Sequence, residues 1–200
     1  RYINSMSFAD EIIIVDSFST DHTETLAQHP KVTFVKRVFD DFSSQKNYAI
    51  SLAKHDWVTF FDLDEEVPEA LATELVATVR SNPTAKAFRV KRDYHFMGKR
   101  IKYSGFQTDI AVRLFNGKLV HEAIQTTATF GKLKHHVKHQ TYKDFDNYNQ
   151  KLTQYSKLQA EALFKKNVRP NLYHFLFRPW YRFMHQYFLR GGILDGKEGF

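Results

Sequence analysis

Residues 56–66 read DWVTFFDLDEE. Trp57 to Phe61 is an apolar run with the length and composition of a buried strand. It passes directly into Asp62, Asp64, Glu65 and Glu66, carboxylates that repel one another. Pro68 then opens a helical pattern, PEALATELVATVR, at the first-turn position where proline is well tolerated. An apolar strand, an acidic turn and a helix in that order place the cluster at the carboxyl end of a sheet strand. In open α/β sheets ligands bind beyond that end.

Outward from this stretch the same rhythm recurs. DEIIIVDSFSTDHTETLAQ at 10–28 is an apolar run, Ile12 to Val15, followed by turn and cap formers and a short helix. KVTFV at 31–35 reads as a second strand, and SSQKNYAISLAK at 43–54 as a helix with a serine cap. Alternating strands and helices indicate an α/β protein with a mostly parallel sheet. RYINSMSFADE ahead of the first strand resembles the remnant of a helix. A unit of this kind normally starts with a strand, so a first N-terminal strand is expected beyond these residues. After Pro83 the pattern changes: AKAFRVKRDYHF, IAVRLF and AIQTTATF read as strands and MGKR as a hairpin turn. From Lys143 the pattern is helical, with Tyr148, Leu152, Tyr155, Gln159 and Ala162 on one face. The expected organisation is an α/β domain over 1–140 and a helical C-terminal extension over 141–200.

Composition narrows the function classes. With 42% hydrophobic residues in 200, the chain can bury a sizeable core and is not a disordered segment. It has no cysteine, which excludes disulfides, thiolate metal sites and thiol catalysis and suits a reducing compartment. No apolar run approaches the roughly 18 residues of a membrane-spanning helix. The net charge of +7 is unevenly placed: residues 1–130 carry 16 basic and 17 acidic side chains, residues 131–200 carry 13 and 5. The tail therefore calls for an anionic partner.

Two acidic strand ends, Asp16 and Asp62 to Glu65, should face one crevice. Carboxylates two apart on an extended segment can share a hard cation and the phosphates it bridges. The competing reading is a solvated acidic turn that caps the helix at Pro68. KHHVKHQ at 134–140 spaces His135 and His139 as a helical metal pair would. The segment looks extended, however, and a solvated basic face fits it better.

DEIIIVDSFSTDHT, QKNYA, DWVTFFDLDEEV, VRLF…VHEAI and the terminal RGGILDGKEGF together resemble family 2 glycosyltransferases of the GT-A fold. They are most similar to the β-1,4-glucosyltransferase group of the lipopolysaccharide inner core. The resemblance implies inverting transfer of a hexose from a nucleotide sugar, UDP-glucose, onto a lipid-linked glycan, assisted by Mg²⁺ or Mn²⁺. It places Asp16, Asp21, Lys46, Asn47 and Asp62 on the nucleotide, with Asp64 on the metal and His139 as a late histidine ligand. Glu122 in VHE is the expected general base and Asp109 the runner-up, because an attacking sugar hydroxyl must give up its proton. A surface carboxylate is the plainer reading of Glu122. His121 and Arg113 are expected to orient acceptor or phosphate, with a structural salt bridge the alternative for Arg113.

The tail RPNLYHFLFRPWYRFMHQYFLRGG places Trp180, Phe183, Met184, Tyr187 and Phe188 in one stripe beside Arg178 and Arg182. Arg178, Trp180 and Arg182 are candidates for an anionic membrane or acceptor surface, and a packed core helix is the alternative. The resulting expectation is a peripheral enzyme at the inner face of the cytoplasmic membrane of a Gram-negative bacterium, with no nucleic-acid partner. A metal-dependent nucleotidyltransferase could also use Asp-x-Asp at a strand end. A nucleic-acid-binding module could use the tail, but it leaves the acidic crevice unexplained.

Overall fold

The computed structural model describes residues 2–117, 129–142 and 144–199. The chain forms two compact units. One comprises residues 1–91 and 110–137, the other 92–109 and 138–200. The hairpin segment 92–109 thus belongs with the C-terminal residues.

The first unit opens with a short helix, α1 (Tyr2–Ser5), and strand β1 (Ile12–Asp16). A one-turn helix, α2 (Thr23–Leu26), leads to β2 (Val32–Lys36), which pairs with β1 in parallel, Ile12 opposite Val32 and Asp16 opposite Lys36. Helix α3 (Phe42–Ser51) follows. Its cap is Asp41 rather than the expected serine: the Asp41 carboxylate accepts the Ser44 N–H at 2.8 Å. Strand β3 (Trp57–Thr59) is shorter than its apolar run, because the chain turns at Asp62 to Asp64 into a two-residue strand, β4 (Glu65–Glu66). Helix α4 (Glu69–Arg80) starts directly after Pro68 and buries Leu71 and Leu75.

Strands β5 (Ala87–Phe96), β6 (Lys99–Arg100), β7 (Ile110–Asn116) and β8 (Phe130–Tyr142) complete a six-stranded sheet. Its order is β3-β7-β5-β8-β4, with β6 paired to β5. The β3–β7 and β5–β7 pairs are antiparallel, so the described sheet is mixed. The β5–β6 hairpin turns on Met97 and Gly98, both at positive φ, as a tight two-residue loop requires. Leu71, Leu75, Val90, Leu114, Leu133 and Val137 form the core of this unit with Phe61 and Phe88. Strands β1 and β2 form a separate two-stranded sheet. Between β1 and Thr59–Leu63 lies a crevice of about 450 Å³.

The second unit is built on aromatic packing. Tyr94 stacks on Phe106 at 3.9 Å and meets the edges of His139 and Tyr142, and Phe96, Tyr142 and Tyr148 form a further edge-to-face set. Helix α5 (Phe145–Lys165) begins where Asp144 accepts the Asn147 N–H at 2.7 Å. Helix α6 (Arg178–Met184) has Pro179 in its first turn and is flanked by π-helical turns at Tyr173–Phe177 and His185–Leu189. Among the described residues no helix is long and apolar enough to cross a membrane.

Candidate active site

The acidic turn at Asp62–Glu65 is organised by one arginine. Arg113, on β7 and only 2% exposed, donates to Asp62 Oδ2 at 2.8 Å and makes a very short contact with Glu65. Glu65 is itself 1% exposed and accepts the backbone N–H of Asp62 at 2.9 Å. Of the two roles open to Arg113, the structure shows the salt bridge. Burial pushes the Glu65 carboxyl above its ordinary range, with the Arg113 charge opposing the shift. The Tyr2 hydroxyl, which donates to the Phe61 carbonyl at 2.8 Å, is also pushed up, first by burial and then by the Glu65 and Asp62 carboxylates.

Three segments of the first unit converge on the crevice beside this turn. Asp16, buried at the end of β1, binds the N–H of Ser19 at 2.8 Å and its hydroxyl at 2.5 Å, which holds the following loop back on the strand end. Gln45 of α3 reaches Ser17 of that loop at 3.0 Å and is itself held by Arg37. Lys46, one residue on, points to Asp62 Oδ1 at 3.8 Å and lies 5.3 Å from the Phe60 ring. Ser17, Gln45, Lys46 and Asp62 all line the crevice. Its volume is within the ordinary range for a small-molecule site.

The remaining candidates fall in different places. Asp64 is half-buried in the turn itself and Asn47 is half-buried on α3. Asp21 accepts from the N–H and hydroxyl of Thr23, the first residue of α2. Asp109 lies in the second unit, bound by Arg92 at 2.6 Å. His139 also lies in the second unit, edge-on to Tyr94. His135 bonds Glu74 at 2.8 Å from strand β8, which removes the helical metal-pair reading of the histidine tract. His121 and Glu122 lie outside the described residues. Sequence reasoning did not single out Gln45, or Glu65 within its cluster. The legible signal for Glu65 was its place two positions before Val67, so that in an extended segment the two share a face, and both are buried.

Among the described residues no three His, Asp or Glu side chains come together to hold a cation. The chemistry of Asp62 and Asp64 still suits a hard cation carried by a diphosphate, since such ions take one or two carboxylates and complete their shell with phosphate oxygens and water.

A model of glycosyl transferase family 2 matches residues 3–132. The chain belongs to that family. It is therefore a glycosyltransferase with the GT-A fold, here carrying C-terminal helices. Among curated proteins, the lipopolysaccharide core biosynthesis glycosyltransferase LpsC of Rhizobium meliloti is 26% identical, over 100% of this chain and 79% of its own length. An uncharacterised glycosyltransferase of Rickettsia prowazekii is 24% identical over 100% of this chain and 75% of its own. A TPR repeat-containing protein of Synechococcus elongatus is 36% identical over 42% of this chain and 21% of its own. Membership of the family closes the nucleotidyltransferase and nucleic-acid readings.

Proposed function

We propose that this glycosyltransferase moves glucose from UDP-glucose onto a lipopolysaccharide core or related lipid-linked glycan, with inversion at the anomeric carbon. The observation that carries the donor half is the meeting of the Asp16 loop, Lys46 and the Asp62–Asp64 turn at one crevice. The likeness to LpsC supports the acceptor class.

In this reading Asp16, Lys46, Asn47 and Asp62 hold the nucleotide, and Arg113 acts behind them by fixing the orientation of Asp62. Asp64 would hold Mg²⁺ or Mn²⁺, which supplies positive charge to the departing diphosphate. An acceptor hydroxyl attacks the anomeric carbon, the bond from that carbon to the diphosphate breaks, and a carboxylate accepts the hydroxyl proton. We assign that base to Glu122, with His121 beside it orienting the acceptor. Asp109 is the alternative base.

Calorimetry of UDP and UDP-glucose with and without Mn²⁺ tests the donor reading. Asp64→Ala is expected to abolish the Mn²⁺-dependent gain in affinity and leave the melting temperature unchanged. Unchanged UDP affinity in Mn²⁺ would remove Asp64 from the site. Glu122→Gln keeps donor binding and is expected to lower transfer by about 10²- to 10⁴-fold. Normal transfer by Glu122→Gln together with loss in Asp109→Asn would exchange the two roles.

The same reading places the enzyme on an anionic membrane surface. Phe175, Phe177, Trp180, Tyr181 and Phe188 are all more than half exposed, and Arg182 stands among them. Between Glu161 and Asp195 the chain has no acidic residue. Exposed rings with cations and no anions match the boundary between headgroups and acyl chains.

A further inference from the structure

The second unit contains a crevice of about 480 Å³ that none of the donor residues touches. Ser104, Gly105, Thr108 and Asp109 form one wall, and His185 and Arg190 the other. The first wall is held by the terminal segment RGGILDG. Asp195, 6% exposed, accepts the backbone N–H groups of Lys102 at 3.0 Å and Tyr103 at 2.8 Å. The Arg190 carbonyl accepts the Ser104 N–H at 3.1 Å. Ser104 and Gly105 both take positive φ, 56° and 96°, a conformation that needs such outside support at a serine. A side chain at position 192 would sit 2.3 Å from Ser104 Oγ, so the close approach requires the glycine. The wall is therefore set before any ligand arrives.

Its chemistry is specific. Arg92 binds Asp109 through Oδ1, and Oδ2 remains to accept from a ligand hydroxyl. The Thr108 hydroxyl donates to the Gly105 carbonyl at 2.9 Å and keeps its own acceptor capacity. Arg190 has no carboxylate partner among the described residues, and its side chain packs along Gly105. Asp109 is already matched by Arg92, so among the lining residues the Arg190 charge is the one left for a ligand. A guanidinium with two free donor edges matches a phosphate group.

We propose that this crevice is an acceptor subsite for a phosphorylated sugar, Asp109 taking a ring hydroxyl and Arg190 the phosphate. The proposal rests on the glycosyl-transfer reading for the word acceptor and on this crevice alone for the ligand.

Mannose 6-phosphate is a suitable probe, titrated into the full chain beside mannose, glucuronate and inorganic phosphate. Mannose 6-phosphate is expected to bind more tightly than any of the other three. Arg190→Gln should weaken it about ten- to hundredfold, the range for a hydrogen-bonded charge, and leave mannose unaffected. Arg190→Lys should recover part of the loss, and Asp109→Asn should weaken mannose and mannose 6-phosphate alike. UDP affinity, read at the first unit, should stay constant in all three variants, which separates this proposal from the donor reading. Four results would overturn it. One is no binding of mannose 6-phosphate at millimolar concentration, and another is equal binding by Arg190→Gln. The third is phosphate alone binding as tightly as mannose 6-phosphate. The fourth is Arg190→Gln releasing the protein from phosphatidylglycerol vesicles with mannose 6-phosphate affinity intact, which would make Arg190 a lipid contact.

Discussion

Arg113 and Arg182 are the same residue type in opposite settings. Arg113 is buried in the first unit against two carboxylates, one of them as buried as itself. Arg182 is exposed in the second unit beside Trp180, which is 61% exposed, on a stretch with no acidic residue. A desolvated charge must be matched inside the fold, so Arg113 contributes to structure and has little left for a ligand. A solvated charge costs little to keep unpaired and is available for binding. The contrast also separates two aromatic groups of the second unit. The rings around Tyr94 and Tyr142 pack on one another, whereas those of α6 face solvent.

The largest expected effect breaks the buried side of this comparison. Arg113→Leu leaves Glu65 buried without its cation and should cost about 3–5 kcal/mol in urea unfolding. Arg113→Leu with Glu65→Leu should recover much of that loss, because the stranded charge is gone. A single variant as stable as the parent would mean that the pair is not what holds the turn.

A smaller effect concerns the support of the second unit's crevice. Asp195→Ala removes the acceptor of two backbone N–H groups and should cost about 1–3 kcal/mol. It should also weaken mannose 6-phosphate binding without touching UDP. Unchanged stability would show that the terminal segment rests on the loop without holding it.

The exposed side is sharpened by Arg178→Gln with Arg182→Gln. Each lost charge should weaken association with anionic vesicles by about 1 kcal/mol at low salt, and high salt should erase the difference. Stability and UDP affinity should remain as in the parent. Equal sedimentation of the parent with neutral and anionic vesicles would leave the tail's charge without this role.

The smallest effect is a pH dependence. Burial raises the Glu65 carboxyl above its ordinary 4.5 in the folded chain. A group raised in this way contributes stability that is complete below about 4.5 and is lost as pH rises through its folded value. Glu65→Gln cannot titrate, so the stability of the parent relative to this variant should fall as pH rises from 4.5. A constant difference across that range would place the titration elsewhere.

Much of the fold was legible because it is written locally. The apolar runs became β1, β2 and β3, the Met97–Gly98 turn joined β5 to β6, and Pro68 preceded α4. Periodicity and turn chemistry act over a few residues, so they can be read without the rest of the chain. The site was legible in part. Lys46, Asp62 and Ser17 of the loop that Asp16 holds line one crevice, whereas the local bond from Thr23 to Asp21 is a side-chain detail that the acidic pattern did not specify. The serine cap assigned to α3 failed because Asp41 lay two residues upstream as a stronger competitor.

By itself the sequence determined the α/β alternation, the acidic turn at the end of a strand and the basic, aromatic tail. Only the tertiary structure decided what the acidic turn is paired with. Arg113 reaches Asp62 across 51 positions and Glu65 across 48, through the pairing of β7 beside β3. Only the tertiary structure likewise joined residues 92–109 to the C-terminal segment, through the grip of Asp195 on Lys102 and Tyr103. Local pattern specifies which face of an element is apolar, but it does not specify which distant element will cover that face. That choice is made by packing and by the cost of burying an unpaired charge, and both are properties of the assembled chain.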